Sequence, residues 1–193
     1  VILTESVLYV GVLAGLSTQW YADNEQGNFH FFNDNRQWLQ MDKVGHLASA
    51  YQTGKLGIDV LKWSGVNQKK AAYYGGVLGL AFLSGVEVLD GFSSKWGFSW
   101  GDMAANTLGA SLAISQELLF HKQIAIVKFS YHSTEFPEYR PETLGENATA
   151  SILKDYNGQT YWISLNLKDV THLTYIPEWL SVSGGYSATG MFG

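Results

Sequence analysis

Residues 41–110 constrain what this chain can fold into more than any other stretch. Polar signatures M-D-K-V-G-H, V-E-V-L-D-G and F-S-W-G-D-M-A-A-N alternate there with long apolar segments rich in glycine. Segments of that length and composition read as helices, and short turns between consecutive helices make neighbours antiparallel. The start of one helix, the end of the next and the start of the third then share one end of a bundle. Asp42, Lys43 and His46 open the first, Glu87 and Asp90 close the second, and Ser99, Asp102 and Asn106 open the third. Chain order alone gathers these side chains into one polar layer.

The patterning predicts helices over 4–20, 42–63, 71–90 and 100–120, with Thr4 and Ser99 as N-caps and Asp42 as N-cap or first-turn acid. Gly11 and Gly15, Gly75 and Gly79, and the Gly101–Ala105–Gly109 series recur at four-residue spacing, which lets helix backbones approach closely. Glycine costs roughly 1 kcal/mol in a helix interior relative to Ala, and close packing is the compensation. Residues 21–40 form a long polar-aromatic connection that lies over the polar end, a lid or a surface loop with Phe29, Phe31, Phe32 and Trp38 as apolar anchors. After His121 the pattern changes to alternation. Residues 123–131, 160–167 and, more weakly, 180–186 read as strands. Pro137 and Pro141 mark a loop, and 142–156 has room for a short helix. The expected fold is α+β: an antiparallel glycine-rich four-helix bundle, membrane-embedded or membrane-associated, over residues 1–122, then a small antiparallel β region over 123–193, packed on the bundle, whole or truncated.

Charged and aromatic residues each make up 15% of the chain, a balance that points to deep burial, a membrane-facing surface or a large partner interface. The net charge of −5 leaves no basic stripe for phosphates and argues against nucleic acid as a partner. No cysteine is present, which excludes disulfides, thiolate metal sites and thiol catalysis. The chain opens at Val1, and the expectation is a processed product that has lost a signal peptide or a lipid-bearing cysteine.

Helical spacing separates roles within the layer. Asp42 and His46 share a face, as do Glu87 and Asp90, and Asp102 and Asn106. His46 and Glu87 form a candidate acid/base pair, because each shifts the other's proton affinity. Asp42, His46, Glu87, Asp90 and Asp102 form a candidate site for a divalent cation, Mg²⁺ or Ca²⁺ from the carboxylates, Zn²⁺ or Mn²⁺ if His46 takes part. Lys43 has Glu87 or Asp90 as expected partners. The alternative needs no chemistry: Asp42, Ser99 and Asp102 are ordinary helix-start residues, and His46, Glu87 and Asn106 form a hydrogen-bonded network that fixes helix register. His30, His121, His132 and His172 share no spacing and read as surface or interface residues.

D-K-x-x-H at 42–46, E-x-x-D-G at 87–91 and G-F-S-x-x-D-x-x-x-N at 97–106 resemble the YfiM-like family of bacterial envelope lipoproteins. The fuller H-F-F-N-D-N-x-x-W-L-Q-M-D-K-x-G-H at 30–46, with Y-R-P-x-x-L-G at 139–145 and Y-N-G-Q-T-Y-W at 156–162, resembles the longer versions of Bacteroidota. A looser similarity links the same polar positions to VanZ-like membrane proteins, which are more hydrophobic and lack the β-rich tail. The resemblance implies an envelope location at the outer membrane and supplies no reaction. Two functions follow as expectations: an accessory subunit of an outer-membrane assembly, with membrane and an outer-membrane protein as partners, or a hydrolase or transferase on a lipid-linked or cell-wall substrate that uses His46, Glu87 and Asp102.

Overall fold

The computed structural model describes residues 27–192 and Gly11; the helix expected over 4–20 otherwise lies outside the described residues. Three long helices follow one another: α1 (Met41–Trp63), α2 (Gln68–Phe92) and α3 (Trp100–Phe120). Each boundary has a local cause. Asn67 accepts the Lys70 amide at 3.0 Å to start α2, and Ser99 Oγ accepts the Asp102 amide at 3.2 Å to start α3, as S-x-x-D anticipates. α1 begins differently. Trp38, Leu39 and Gln40 all have positive φ, and Gln40 is its N-cap, with Asp42 in the first turn. Three consecutive non-glycine residues in that region need outside support. Tyr186 supplies some by donating to the Leu39 carbonyl at 2.7 Å, and Trp38 packs edge-on to Tyr156 at 5.2 Å.

The helices pack backbone to backbone. A β-carbon on Gly57 would lie 2.6 Å from the Gly75 carbonyl oxygen, and one on Gly75 would meet the Gly57–Ile58 peptide. On the other side of α1, Gly109 of α3 abuts the Leu47 carbonyl. Gly75, Gly79 and Gly109 thus serve contact between helix backbones, while Gly101 makes room for the Asn35 and Lys43 side chains. Among the described residues one helix, α2, is long and apolar enough to cross a membrane; it packs here against both α1 and α3.

Three antiparallel strands follow, β1 (Ala125–Tyr131), β2 (Gln159–Asn166) and β3 (Ser181–Tyr186), in that order across one sheet. The register sets Phe129 opposite Tyr161 and Tyr161 opposite Tyr186. Between β1 and β2 lie short helices α4 (Phe136–Tyr139), α5 (Pro141–Leu144) and α6 (Ala148–Lys154), and α7 (Leu167–Thr171) follows β2. Pro137 and Pro141 begin helical turns rather than breaking a loop, since proline suits the first turn. Leu167, expected in a strand, opens α7 instead.

The sheet is fastened to the bundle mainly through β1. Val127 joins Ala48, Tyr51, Ile58 and Ala113 in the core, and the Tyr51 hydroxyl donates to the Ala125 carbonyl at 3.1 Å. Gln116 of α3 accepts the Ile124 amide at 2.9 Å and the Ala125 amide at 2.6 Å, while its amide donates to the Ala125 carbonyl at 3.0 Å. An α+β architecture is the result, with the sheet placed beside the polar end of α1.

Candidate functional site

The expected layer assembles, and residues outside it complete it. Lys43 is its electrostatic centre: Nζ lies 2.6 Å from Asp34 Oδ2, 2.8 Å from Asp102 Oδ1 and 3.1 Å from Asp42 Oδ2. Its partners are therefore these three aspartates rather than Glu87 or Asp90. Asp34 reaches the site because the strap before α1 is tied to the α2–α3 turn. His30 donates its amide to Gly91, Phe32 donates its amide to Phe98, and Phe98 donates back to His30, at 2.9, 3.0 and 3.0 Å. Phe29, Phe31, Phe98 and Trp100 interlock around that bridge, so two of the expected anchors hold the strap against the turn. Ser99 then works twice, as the α3 cap and as a donor to Asp34 Oδ1 at 2.7 Å.

His46 sits between two sets of groups. Its Nδ1 donates to Asn106 Oδ1 at 3.1 Å and lies 3.6 Å from Glu87 Oε1; its Nε2 faces Asp42 Oδ1 at 3.8 Å. Glu87 is 1% exposed and its Oε2 accepts the Ser99 amide at 3.1 Å. The β region contributes Tyr156, whose hydroxyl donates to Asp42 Oδ1 at 2.6 Å, and Tyr161, whose hydroxyl donates to Gln159 Oε1 at 2.7 Å.

Burial and crowding of charge spread the proton affinities of these groups apart. Burial, aided by Asp102 and Asp90, pushes the Glu87 carboxyl up to about 8 against the pull of His46, so it is protonated at neutral pH. Burial and Asp42 push Asp102 up to about 6, with His46 and Lys43 opposing. Burial alone would raise Asp34, but bonds from Lys43 and Ser99 outweigh it and hold its carboxyl below the usual range. Burial likewise opposes charge on Lys43 and His46, and the carboxylates around them win, raising both. Two carboxyl groups with opposite shifts within one site are the arrangement that divides acid from base roles.

A cleft of about 610 Å³ opens onto part of this cluster. Asp34, Asp42, His46, Asp90 and Asp102 line it, together with Tyr156 and Tyr161. Apolar walls rise from there, formed by Phe82, Leu83, Val86 and Leu89 of α2 and by Phe129, Ile152 and Leu153 of the β region. Lys43, Glu87, Ser99 and Asn106 are not among the lining residues; they support the floor from behind. The expected pair His46 and Glu87 is thus split: His46 lines the cleft, and Glu87 lies behind it, 3.6 Å from Nδ1. Of the candidate cation ligands, Asp42, His46 and Asp102 bring ligand atoms within 4.8 Å of one another. Asp90 lines the same cleft outside that trio, and Glu87 meets the far nitrogen of His46.

Asp34, Tyr156 and Tyr161 are the site residues that helical spacing does not find. All three stand in the longer motifs, N-D-N at 33–35 and Y-N-G-Q-T-Y-W at 156–162, so the signal was present without a role attached.

Residues 29–118 match a family described as predicted periplasmic lipoprotein (DUF2279). The matched span holds the strap, all of α1 and α2, nearly all of α3 and every expected member of the polar layer, and its description agrees with an envelope location. No curated protein and no solved structure matches the chain.

Proposed function

We propose that this protein is an envelope hydrolase or transferase that acts on a lipid-linked or cell-wall substrate at the outer membrane. The observation that carries this reading is the composition of the cleft: a charged floor of Asp42, His46 and Asp102 beneath walls of aliphatic and aromatic side chains. Such a cleft suits a molecule with an apolar arm and a polar head, and it delivers the head to the floor. Attack there joins the oxygen of a water, or of an acceptor hydroxyl, to the electrophilic centre of the head. The leaving group departs with its bonding pair, and the proton lost by the nucleophile ends on the leaving group or in solvent. His46 and the two aspartates polarise the nucleophile, while Glu87 and Asn106 keep the imidazole from turning. Glu87 is a positioning residue on this account.

The test is turnover of polyprenyl-phosphate-linked glycans in detergent micelles, read by mass spectrometry, with wild type beside His46→Ala. Product from wild type and at least a 100-fold loss in a folded variant is the expected result. No product from any such substrate, or equal turnover by the variant, would refute the proposal. A second reading, an accessory subunit of an outer-membrane assembly, is favoured by one feature: Trp100, Leu108 and Leu119 are all more than 60% exposed along one face of α3. It predicts co-purification with an outer-membrane protein, and a dispersed monomer without detergent would count against it.

A further inference from the structure

The geometry points to Asp42, His46 and Asp102 as the protein ligands of one divalent transition-metal ion, Zn²⁺ or Mn²⁺, at the floor of the cleft. This deepens the enzymatic reading, since it names what polarises the nucleophile, and it rests on that reading only there. Asp42 and His46 stand one turn apart on α1, Asp102 comes from the first turn of α3, and one ligand atom from each falls within 4.8 Å of the others. The imidazole is already oriented as a ligand. Asn106 Oδ1 accepts from Nδ1, so in the neutral ring Nε2 carries the lone pair and faces Asp42.

Independent support comes from polar atoms left over behind the ring. Glu87 Oε1 and Asn106 Nδ2 belong to side chains 1% and 0% exposed, and among the described residues neither atom has a hydrogen-bond partner. The outer acceptor that a metal-bound histidine uses is here Asn106 Oδ1, and the buried Glu87 carboxyl stands 3.6 Å from the same nitrogen without accepting from it. Asp102 Oδ1 is taken by the Lys43 ammonium, 2.8 Å away.

Lys43 does not exclude the ion. It engages Oδ2 of Asp42 and Oδ1 of Asp102, which leaves Asp42 Oδ1, supported by the Tyr156 hydroxyl, facing His46. With His46 neutral as a ligand, Asp34, Asp42 and Asp102 less the Lys43 ammonium leave two negative charges in the floor, the charge one divalent ion balances. One nitrogen and two oxygen donors favour a borderline ion over Ca²⁺ or Mg²⁺, and three protein ligands leave a coordination position open towards the cleft.

The experiment titrates the chelator-stripped full chain with ZnCl₂ and MnCl₂ by calorimetry, and with CoCl₂ by visible absorption. One ion per chain is expected, with affinity at least 100-fold weaker in His46→Gln and Asp42→Asn. Asp90→Asn is expected to bind as wild type does. Zinc should raise the melting temperature of wild type and not of His46→Gln, which separates a lost ligand from a lost fold. No binding by wild type, unchanged binding by His46→Gln, or loss of binding in Asp90→Asn would each overturn the assignment. Binding without turnover leaves the metal site standing and removes the enzymatic reading; turnover by metal-free protein does the reverse.

Discussion

Lys43 places one positive charge among the carboxylates of Asp34, Asp42 and Asp102, all within 3.1 Å of its ammonium. Removing that charge leaves several buried anions uncompensated, which costs about 3–5 kcal/mol. Lys43→Met is therefore expected to lower the urea midpoint sharply, whereas half-buried Lys55, paired with exposed Asp59 one turn on along the helix, is expected to tolerate the same change within about 0.5 kcal/mol. Tyr51 makes a pH prediction away from the site. Burial is the main cause that pushes its hydroxyl up to about 12 from 10.0. A raised folded pKa means stability that is whole below pH 10 and lost as pH climbs towards 12. Unfolding free energy should fall there by about 3 kcal/mol from this group, and Tyr51→Phe should flatten that part of the curve. At this scale the sequence was partly legible. Helical spacing brings His46, Glu87, Asp102 and Asn106 together, because each lies within two turns of the same end of the bundle. It could not find Asp34, whose position depends on a strap bridged to a turn some 60 residues later.

Elements show the same division between local and distant causes. The cap of α3 and the alternation of β1 and β2 are local, and the sequence reports them, whereas the equally local Asn67 cap starts α2 at Gln68, three residues before the patterning places it. The left-handed run Trp38–Gln40 is set by Tyr156 and Tyr186, which arrive more than a hundred residues later, so no local pattern announces it. The prolines misled for a different reason: a first-turn proline and a loop proline have the same neighbours in sequence. The glycine contacts give a direct test of helix packing. Gly75→Ala would drive a methyl into the Gly57–Ile58 backbone, which cannot move aside as a flexible side chain can. A loss of about 2 kcal/mol or more is expected in chemical unfolding. Gln116→Ala strips two amide donors and one carbonyl at the start of β1 of their partner, and about 2–3 kcal/mol should go with them. Amide exchange is expected to rise first in β1.

For the molecule as a whole, the bundle and the sheet serve different parts of one cleft. The bundle supplies the charged floor and one apolar wall; the β region supplies the opposite wall and the tyrosine that holds Asp42. That joint construction gives the C-terminal region a role which its own sequence pattern does not disclose. On the reading proposed above, this layer works on a ligand rather than locking helix register. Thermal unfolding of His46→Gln and Glu87→Gln, each measured metal-free beside wild type, tests it most directly. The account predicts melting temperatures within a few degrees of wild type, equivalent to about 1 kcal/mol or less, together with lost turnover. A fall of several kcal/mol in both variants would contradict it and make the layer a structural lock.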